Sequence, residues 1–281
     1  MERPPGLATV GLDRDAVDIC DEAAIVAALR DHRPEAIINA AAYTGVDKAE
    51  GEPDQAFRVN RDGAAALATA AAAASIPMVH ISTDYVFDGT KRTPYTEHDA
   101  VIPQSVYGLS KAEGERAVRE ACSSHVIVRT AWVYSPYGTN FLRTMLRLAA
   151  ERDALHVVDD QVGTPTAAAD VATALLAIIA KALNPDFSAW GTYHYRGADI
   201  VTWYGFAQRI FGEARRLGYP TAQLVPIVTA QYPTPAHRPP YSVLDITKIE
   251  GVFGIQPRPL QQGIRDCLLR SKERESSKIV T

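Results

Sequence analysis

Short, continuous apolar runs that alternate with helical segments are the feature that most limits how this chain can fold. Residues 36–42, 78–83 and 125–129 each form such a run, and amphipathic or alanine-rich segments lie between them. A strand that is apolar on both faces must be covered on both faces, which is typical of a parallel sheet with helices on each side. The chain therefore predicts an α/β fold built on a doubly wound parallel sheet.

The other periodic segments extend this pattern along the chain. Residues 7–12 are predicted to be a further strand that leads into Asp13 and Arg14. Further predicted strands are 155–158 and 190–195, and predicted helices are 22–32, 54–75, the segment from Tyr107, 140–152, 168–183 and 203–217. Residues 159–166 and the proline-rich segment 232–240 are predicted to be loops, the second being a structured loop or a lid, because proline interrupts both helix and sheet hydrogen bonding. The polar residues 271–281 are predicted to be a frayed tail.

Two parts of the chain differ in character. Residues 1–134 are predicted to form a Rossmann-like dinucleotide-binding domain, to which the apolar helix 168–183 returns. Residues 135–281 are predicted to form mainly a smaller substrate-binding lobe. A length of 281 residues suits one large domain or a domain with a smaller lobe.

Composition excludes several classes of partner. The net charge is −4 without a basic stripe, so nucleic acid is not an expected partner. No run reaches the roughly 18 apolar residues of a membrane span, so no membrane association is expected. The three cysteines, Cys20, Cys122 and Cys267, have no metal-binding spacing, and together with the lack of a signal peptide they favour a reducing, cytoplasmic location.

Tyr107 and Lys111 are four residues apart at the start of a predicted helix. Residues at i and i+4 share a helix face, so the hydroxyl and the ammonium can point into one cleft. A nearby cation lowers a tyrosine pKa, which suits proton exchange with a carbonyl near neutral pH. A tyrosine and a lysine that merely share a surface face are the alternative.

Polar or small residues follow the predicted strands, where doubly wound sheets bind ligands. A carboxylate at Asp13 could hold an adenosine ribose, and Arg14 could instead meet a 2′-phosphate. The small-residue segment 40–44 would let a flat ligand approach the backbone. Ser82 and Thr83 place hydroxyls at the same edge. Each feature has a simpler alternative. Asp13 could be an ordinary loop carboxylate, segment 40–44 could allow tight helix packing, and Ser82 and Thr83 could cap a turn.

Together these residues resemble the extended branch of the short-chain dehydrogenase/reductase superfamily. Thr83, Tyr107 and Lys111 match its catalytic triad, and Asn60 matches an asparagine often added to it. Longer motifs resemble one family within it, the dTDP-4-dehydrorhamnose reductases. These motifs are residues 39–50, 82–87, 129–134, 160–166 and 232–239, in order along essentially the whole chain.

The resemblance implies a function and a set of roles. The substrate would be a dTDP-linked 4-keto-6-deoxy sugar, the product dTDP-L-rhamnose, and the hydride donor NADPH or NADH. Tyr107 would donate the proton, Lys111 would lower the pKa of Tyr107 and hold the nicotinamide ribose, and Thr83 would polarise the keto oxygen. Asp84 and Trp132 would contact the sugar nucleotide, although Trp132 could equally be a core residue. Cofactor contacts would come from Asp13, Asp18, Ile19, Ala41, Ala42, Tyr43 and Thr44, with Arg238 as a group that steadies the diphosphate. The resemblance also leaves open a homodimer and an interfacial Mg²⁺, for which the sequence shows no ligand cluster.

The sequence departs from the family at one point. Family members begin with a strand and a glycine-rich turn that binds the cofactor pyrophosphate at a helix N-terminus. Gly6 and Gly11 are the only glycines before Gly45, and neither lies between a strand and a helix. The expectation is a chain that lacks the first strand and helix, through a misassigned start, a real truncation with weak cofactor binding, or a loss of catalysis. The misassigned start is favoured because the other catalytic residues are present.

Two other functions remain open at this stage. One is a regulatory or binding subunit on the same fold, like the relatives that regulate a methionine adenosyltransferase; the missing turn favours it. The other is a nucleotide-sugar epimerase or dehydratase. A dehydratase usually has acidic residues after the Thr83 position, whereas only Asp84 is acidic here.

Overall fold

The computed structural model describes residues 7–279, with side chains described as far as residue 273. The strands are β1 Ile37–Asn39, β2 Met78–Thr83, β3 His125–Thr130, β4 Val133–Tyr134, β5 Ala154–Val158, β6 Val162–Gly163, β7 Thr166–Ala167, β8 Gly191–His194, β9 Val201–Thr202 and β10 Gln223–Ile227. The α-helices are α1 Glu22–His32, α2 Val46–Ala49, α3 Pro53–Phe57, α4 Ala64–Ala73, α5 Val106–Ala121, α6 Phe141–Ala149, α7 Ala168–Ala182, α8 Trp203–Arg216, α9 Thr247–Phe253 and α10 Leu260–Ile279. Within these residues no helix combines the length and apolar composition that crossing a bilayer requires.

The main sheet has four parallel strands in the order β1-β2-β3-β8. Ile37 pairs with Met78, and Met78 pairs in turn with His125. All six residues of β3 are buried, as the apolar-run argument required. The predicted α/β parallel sheet is confirmed, and it places the carboxyl ends of β1 and β2 side by side.

Helices cover both faces of this sheet. On one face Met78 and Ile127 pack with α1, α4 and α5. On the other face Val79, Val126 and Val128 pack with α7 and α9. The apolar helix predicted at 168–183 therefore does return to the sheet. It brings β8 with it, so the sheet draws strands from both halves of the chain.

A third apolar cluster lies away from the main sheet. It joins α6, α8 and α10 with the parallel pair β5 and β10. The aromatic residues Tyr134 and Phe206 are fully buried at its centre. This cluster belongs to the part of the chain predicted as a substrate lobe.

The long helix predicted at 54–75 is interrupted. After α3, residues Arg58–Gly63 form a π-helical segment before α4 begins. The backbone of this segment lies against α5 so closely that a Cβ at Gly114 would be 2.0 Å from the Asn60 carbonyl oxygen. A π segment redirects side chains and is frequent near functional sites. Here it places Asn60 between the chain after β1 and helix α5.

Three predictions from the sequence are wrong. The segment 159–166, predicted as a loop, contains the short strand β6 and ends where β7 begins, because Val162 and Thr166 find strand partners in distant parts of the chain. Residues 7–12 form no strand, and residues 8–12 are exposed, because no strand of the described chain lies beside them to complete their hydrogen bonds. Residues 271–279 are not a frayed tail, since α10 runs to Ile279. Residues 280 and 281 lie outside the described chain.

Candidate active site

Tyr107 lies next to the end of β2 because helix α5 begins very close to that strand. Ser105 caps the helix by accepting a hydrogen bond from the Gly108 amide at 3.1 Å. A Cβ at Gly108 would be 2.2 Å from the Tyr85 carbonyl oxygen, so this approach requires glycine. The Tyr107 ring meets the Tyr85 ring edge to face, with centroids 5.7 Å apart.

The predicted lowering of the Tyr107 pKa by Lys111 is wrong for this structure. Burial raises the pKa of Tyr107 to about 12, the Asp84 carboxylate adds to the increase, and a hydrogen bond with Thr83 opposes it. Tyr107 is therefore fully protonated at neutral pH. The structure does bring Thr83 and Tyr107 into hydrogen-bond contact, as the triad prediction required.

Lys111 is buried and points away from the surface. Its Nζ donates to the Ile81 carbonyl oxygen at 2.7 Å and lies 3.4 Å from His80 Nε2. Burial lowers the pKa of Lys111 to about 8, although the Glu115 carboxylate acts in the opposite direction. The lysine thus contacts the backbone and a histidine of β2.

Asp84 follows Thr83 directly and is also buried. The Thr83 hydroxyl donates to Asp84 Oδ1 at 3.1 Å, and the Tyr85 amide donates to Thr83 Oγ1 at 3.2 Å. Burial raises the pKa of Asp84 to about 6, while hydrogen bonds from Ser242 and Thr83 act to lower it. A carboxyl group of intermediate acidity therefore lies one residue from the predicted triad.

A cavity of about 870 Å³ opens beside β1 and the segment that follows it. The cavity wall includes the acidic residues Asp13 and Asp18 and the small residues that follow β1. Of the predicted cofactor contacts, Asp13, Asp18, Ile19, Ala41, Ala42 and Tyr43 line it, and Thr44 does not. The structure therefore gathers six of these residues from separate parts of the chain around one space.

The small-residue turn in this wall is held by two asparagine side chains. Asn39 accepts a hydrogen bond from the Ala41 amide at 3.0 Å. Asn60 accepts from the Tyr43 amide at 2.8 Å and donates to the Tyr43 carbonyl oxygen at 3.1 Å and to Ser110 Oγ at 2.9 Å. Asn60 thus ties the turn to helix α5. Sequence reasoning did not identify Asn39 or Ser110, although an asparagine that ends an apolar strand was an available signal.

Trp132 has a backbone conformation that is rare for a bulky residue, with φ at +46°. Its indole stacks on that of Trp203, with centroids 3.5 Å apart and planes 6° from parallel. Trp203 Nε1 donates to Gln161 Oε1 at 3.1 Å. Trp132 is partly buried and packs against the third apolar cluster, so the core alternative remains open beside the predicted contact with the sugar nucleotide. The stacking partner Trp203 was not identified from the sequence.

The proline-rich segment 232–240 is anchored. Arg238 Nη2 forms an ion pair with Asp47 Oδ2 at 2.7 Å, and the Ala236 amide donates to Asp47 Oδ1 at 3.2 Å. Asp47 follows the small-residue turn, so the segment is attached beside the cavity. The irregular structure predicted for this segment is confirmed.

The polar groups in the cavity wall can be compared with those that would bind a dinucleotide. Asp13 and Arg14 offer a carboxylate and a guanidinium for the adenosine ribose, and exposed Ala41 removes side-chain bulk from the wall. A volume of about 870 Å³ suits a ligand of this size. Asn39 lines the cavity and contacts His80, which in turn lies beside Lys111. The cavity residues therefore fit the adenosine ribose end of the cofactor, while Thr83, Tyr107 and Lys111 lie outside the cavity wall. Among the described residues no three His, Cys, Asp or Glu side chains are grouped as metal ligands.

The parallel sheet, the cavity along β1 and the Thr83, Tyr107 and Lys111 set define a Rossmann-like protein of the extended short-chain dehydrogenase/reductase class. The profile of the family described as RmlD substrate binding domain matches residues 3–273. The chain belongs to the dTDP-4-dehydrorhamnose reductase family.

Known relatives agree with this assignment. The chain is 45% identical over 253 residues to the dTDP-4-dehydrorhamnose reductase of Sinorhizobium fredii, covering 90% of this chain and 86% of the relative. The solved reductase of Clostridium acetobutylicum superposes with a TM-score of 0.86 at 38% identity, over 94% of this chain and 90% of that one. The reductase of Bacillus anthracis, solved in complex with NADP, has a TM-score of 0.83 at 35% identity, over 92% and 89%.

Proposed function

We propose that this protein reduces the C4 keto group of dTDP-4-dehydro-L-rhamnose to give dTDP-L-rhamnose, with NADPH or NADH as the reductant. The observation that supports it most is the contact of Thr83 with Tyr107 at the end of β2, the strand next to β1, along which the cavity lies. The relatives named above are dTDP-4-dehydrorhamnose reductases at up to 45% identity. The product would supply rhamnose for a cell-envelope polysaccharide.

Tyr107 acts as the proton donor in this proposal. When bound, the reduced nicotinamide supplies a hydride to C4 of the sugar. Tyr107 then gives its phenolic proton to the oxygen that becomes an alkoxide. A pKa of about 12 keeps that proton on Tyr107 at neutral pH, and an alkoxide is a stronger base than the phenolate that remains.

Thr83 stabilises charge at the same edge. Its hydrogen bond lowers the pKa of Tyr107, which means that it favours the phenolate formed after proton transfer. In this structure the single Thr83 proton is donated to Asp84 Oδ1, so Thr83 polarises the keto oxygen by turning that proton towards it. Lys111 holds the nicotinamide ribose and Asp84 contacts the sugar.

Trp132 forms a flat wall for the sugar nucleotide, supported from behind by Trp203. Asp13, Asp18, Ile19, Ala41, Ala42, Tyr43 and Thr44 hold the cofactor, and Arg238 steadies the diphosphate beside Asp47. Residues 1–134 with the returning helix serve the cofactor, and residues 135–281 mainly serve the substrate. We further propose a cytoplasmic location, with a homodimer as the assembly to test.

A coupled measurement tests the proposal. Loss of NADPH or NADH absorbance is followed with dTDP-4-dehydro-L-rhamnose, and the product is identified by NMR. Tyr107→Phe should reduce kcat by about 10²–10⁴-fold, the usual contribution of a proton donor. The exposed Tyr137→Phe is the matched control and should retain activity. Absence of oxidation with either cofactor, or an active Tyr107→Phe variant, would contradict the proposal.

A further inference from the structure

Gln161 is a buried amide that joins the stacked tryptophans to the chain before the proline-rich segment. It is 5% exposed. Its Oε1 accepts a hydrogen bond from Trp203 Nε1 at 3.1 Å, and its Nε2 donates to Thr229 Oγ1 at 3.0 Å. Thr229 lies three residues before segment 232–240. None of the roles proposed above uses Gln161 or Thr229.

The chemistry of the end groups fixes the direction of these hydrogen bonds. An indole N–H can only donate, so Gln161 turns its oxygen to Trp203 and its NH₂ group to Thr229. The Thr229 hydroxyl accepts from that NH₂ group and donates to Asp160 Oδ1 at 2.6 Å. A carboxylate, which only accepts, completes the series. The middle position therefore needs an acceptor towards the indole and a donor towards the hydroxyl, and an amide supplies both.

The residues on each side of this series hold neighbouring elements to the same point. Asp159 Oδ1 accepts from the Thr202 hydroxyl at 2.5 Å, and Thr202 caps helix α8 at the residue before Trp203. The Val162 amide donates to the Pro240 carbonyl oxygen at 2.8 Å. The start of α8 and the far end of the proline-rich segment are therefore attached to the same short stretch of chain.

The Trp203 indole determines the plane of Trp132. The two rings lie 6° from parallel, and Phe141 packs on Trp203 with centroids 4.7 Å apart. The positive φ of Trp132 is a conformation that its surroundings must maintain. Rotation of the Trp203 ring would take its N–H away from Gln161 Oε1 and leave that buried oxygen without its donor, which is unfavourable.

We propose that Gln161 and Trp203 are positioning residues for nucleotide-sugar binding: the Gln161 amide fixes the Trp203 indole, and that indole fixes the plane of Trp132. In the proposed function, on which this role rests, Trp132 forms a wall for the sugar nucleotide. A side chain that is already fixed loses little rotational freedom when the ligand binds, which favours affinity. Loss of either positioning residue should therefore weaken binding of the nucleotide sugar and leave binding of the cofactor unchanged.

Nitrogen-15 NMR of tryptophan-labelled protein tests the positioning without any activity measurement. The chain has three tryptophans, and single phenylalanine substitutions assign their indole N–H signals. In Gln161→Leu, hydrogen exchange of the Trp203 N–H should become about 10-fold faster through loss of one hydrogen bond, and the Trp132 signal should move. The Trp190 signal, from a different apolar cluster, should stay in place. Unchanged Trp132 and Trp203 signals would overturn the proposal.

Gln161→Glu separates the hydrogen bond from the loss of packing. A carboxylate still accepts from the indole N–H, so this variant should keep the Trp132 and Trp203 signals of the parent protein. Signals like those of Gln161→Leu would contradict a role for the acceptor. The exposed Gln262→Leu in α10 is the control for the leucine substitution and should change no tryptophan signal.

Steady-state kinetics tests the connection to the nucleotide sugar. Trp203→Leu should raise KM for the nucleotide sugar by roughly 2- to 10-fold, the range expected for one aromatic pair, with kcat and KM for the cofactor nearly unchanged. Trp203→Phe keeps a ring to stack on Trp132 and should restore most of the affinity, and Trp190→Leu is the control. An unchanged KM in Trp203→Leu would overturn the proposal. Absence of reductase activity in the parent protein, with the tryptophan signals as expected, would reject the proposed function and leave the fixing of Trp132 by Gln161 standing.

Discussion

Gly163 and Trp132 lie in such close contact that a Cβ at Gly163 would be 2.4 Å from Cε2 of the indole. The indole is enclosed between this glycine and Trp203, while its backbone has a positive φ. A conformation that is unfavourable for a tryptophan persists only when its surroundings determine it. Gly163, in the motif that begins at Asp160, is thus part of the reason that Trp132 faces the proposed sugar site.

Gly163→Ala should displace the Trp132 indole. Overpacking of this kind costs about 1–3 kcal/mol of folding stability. We expect KM for the nucleotide sugar to rise while KM for the cofactor stays unchanged, because the contact lies on the substrate side. Steady-state kinetics with each substrate varied in turn checks this. Gly212→Ala in α8, where a Cβ meets nothing within 4 Å, is the matched control and should be neutral or stabilising.

Thr83→Val should impair proton transfer. Loss of the hydroxyl removes the hydrogen bond that lowers the pKa of Tyr107, so that pKa should rise above about 12. Loss of one such donor costs about 10²-fold or more in kcat. Thr83→Ser retains the hydroxyl and should restore most of the activity. Equal kcat values for the valine and serine variants would show that the hydroxyl has no catalytic part.

Asp84→Asn should change how stability depends on pH. Since the folded-state pKa of Asp84 is about 6 and its ordinary value is 3.8, the folded state binds this proton more tightly than the unfolded state does. The carboxyl group therefore destabilises the fold progressively as pH rises from 3.8, and fully above 6. Over that range the free energy of unfolding of the asparagine variant should rise relative to that of the parent protein, by about 3 kcal/mol at most. Urea unfolding at pH 4 and pH 7 measures this difference in stability, and the exposed Asp186→Asn variant is the control. A difference that does not change with pH would contradict a raised pKa of Asp84.

Arg129→Met should destabilise the protein strongly. Arg129 forms two hydrogen bonds to Glu115, at 2.8 and 2.7 Å, and both side chains are buried. Without Arg129, the buried Glu115 carboxylate keeps only the partly exposed Arg119 at 3.2 Å as a cationic partner, and losing one partner of a buried pair costs about 3–5 kcal/mol. Arg147→Met, which breaks an exposed pair with Glu151, should cost about 0.5 kcal/mol or less. Comparable losses in thermal unfolding for the two variants would contradict this account.

Local pattern predicted the strands of the main sheet and the helices α1 and α4 to α8, but it did not predict β10, α9 or α10. Helix α1 spans the predicted residues 22–32 with Asp21 as its cap, and β2 spans the predicted 78–83, because apolar periodicity and capping residues are local properties. The strand predicted at residues 7–12 is absent because strand formation is not a local property. An apolar run becomes a strand only when another strand pairs with it, and the run itself does not specify a partner.

The candidate site divides in the same way. Spacing identified Tyr107 and Lys111 as a pair, since i and i+4 positions share a face wherever a helix forms. The resemblance of longer motifs added Thr83 and indicated the family. The electrostatics were decided by the tertiary structure. The spacing of Tyr107 and Lys111 suggested that the lysine lowers the pKa of Tyr107. In the structure burial raises that pKa, and Lys111 lies against His80 instead.

The sequence by itself determined the alternation of strands and helices, the candidate catalytic side chains and the family. Only the tertiary structure decided which buried groups meet, namely Trp132 with Trp203, Asn60 with Ser110, and His80 with Lys111. The partners in these pairs are separated by 71, 50 and 31 positions. The physical reason is that such contacts, and the desolvation that shifts pKa values, depend on how distant elements pack, which no local pattern encodes.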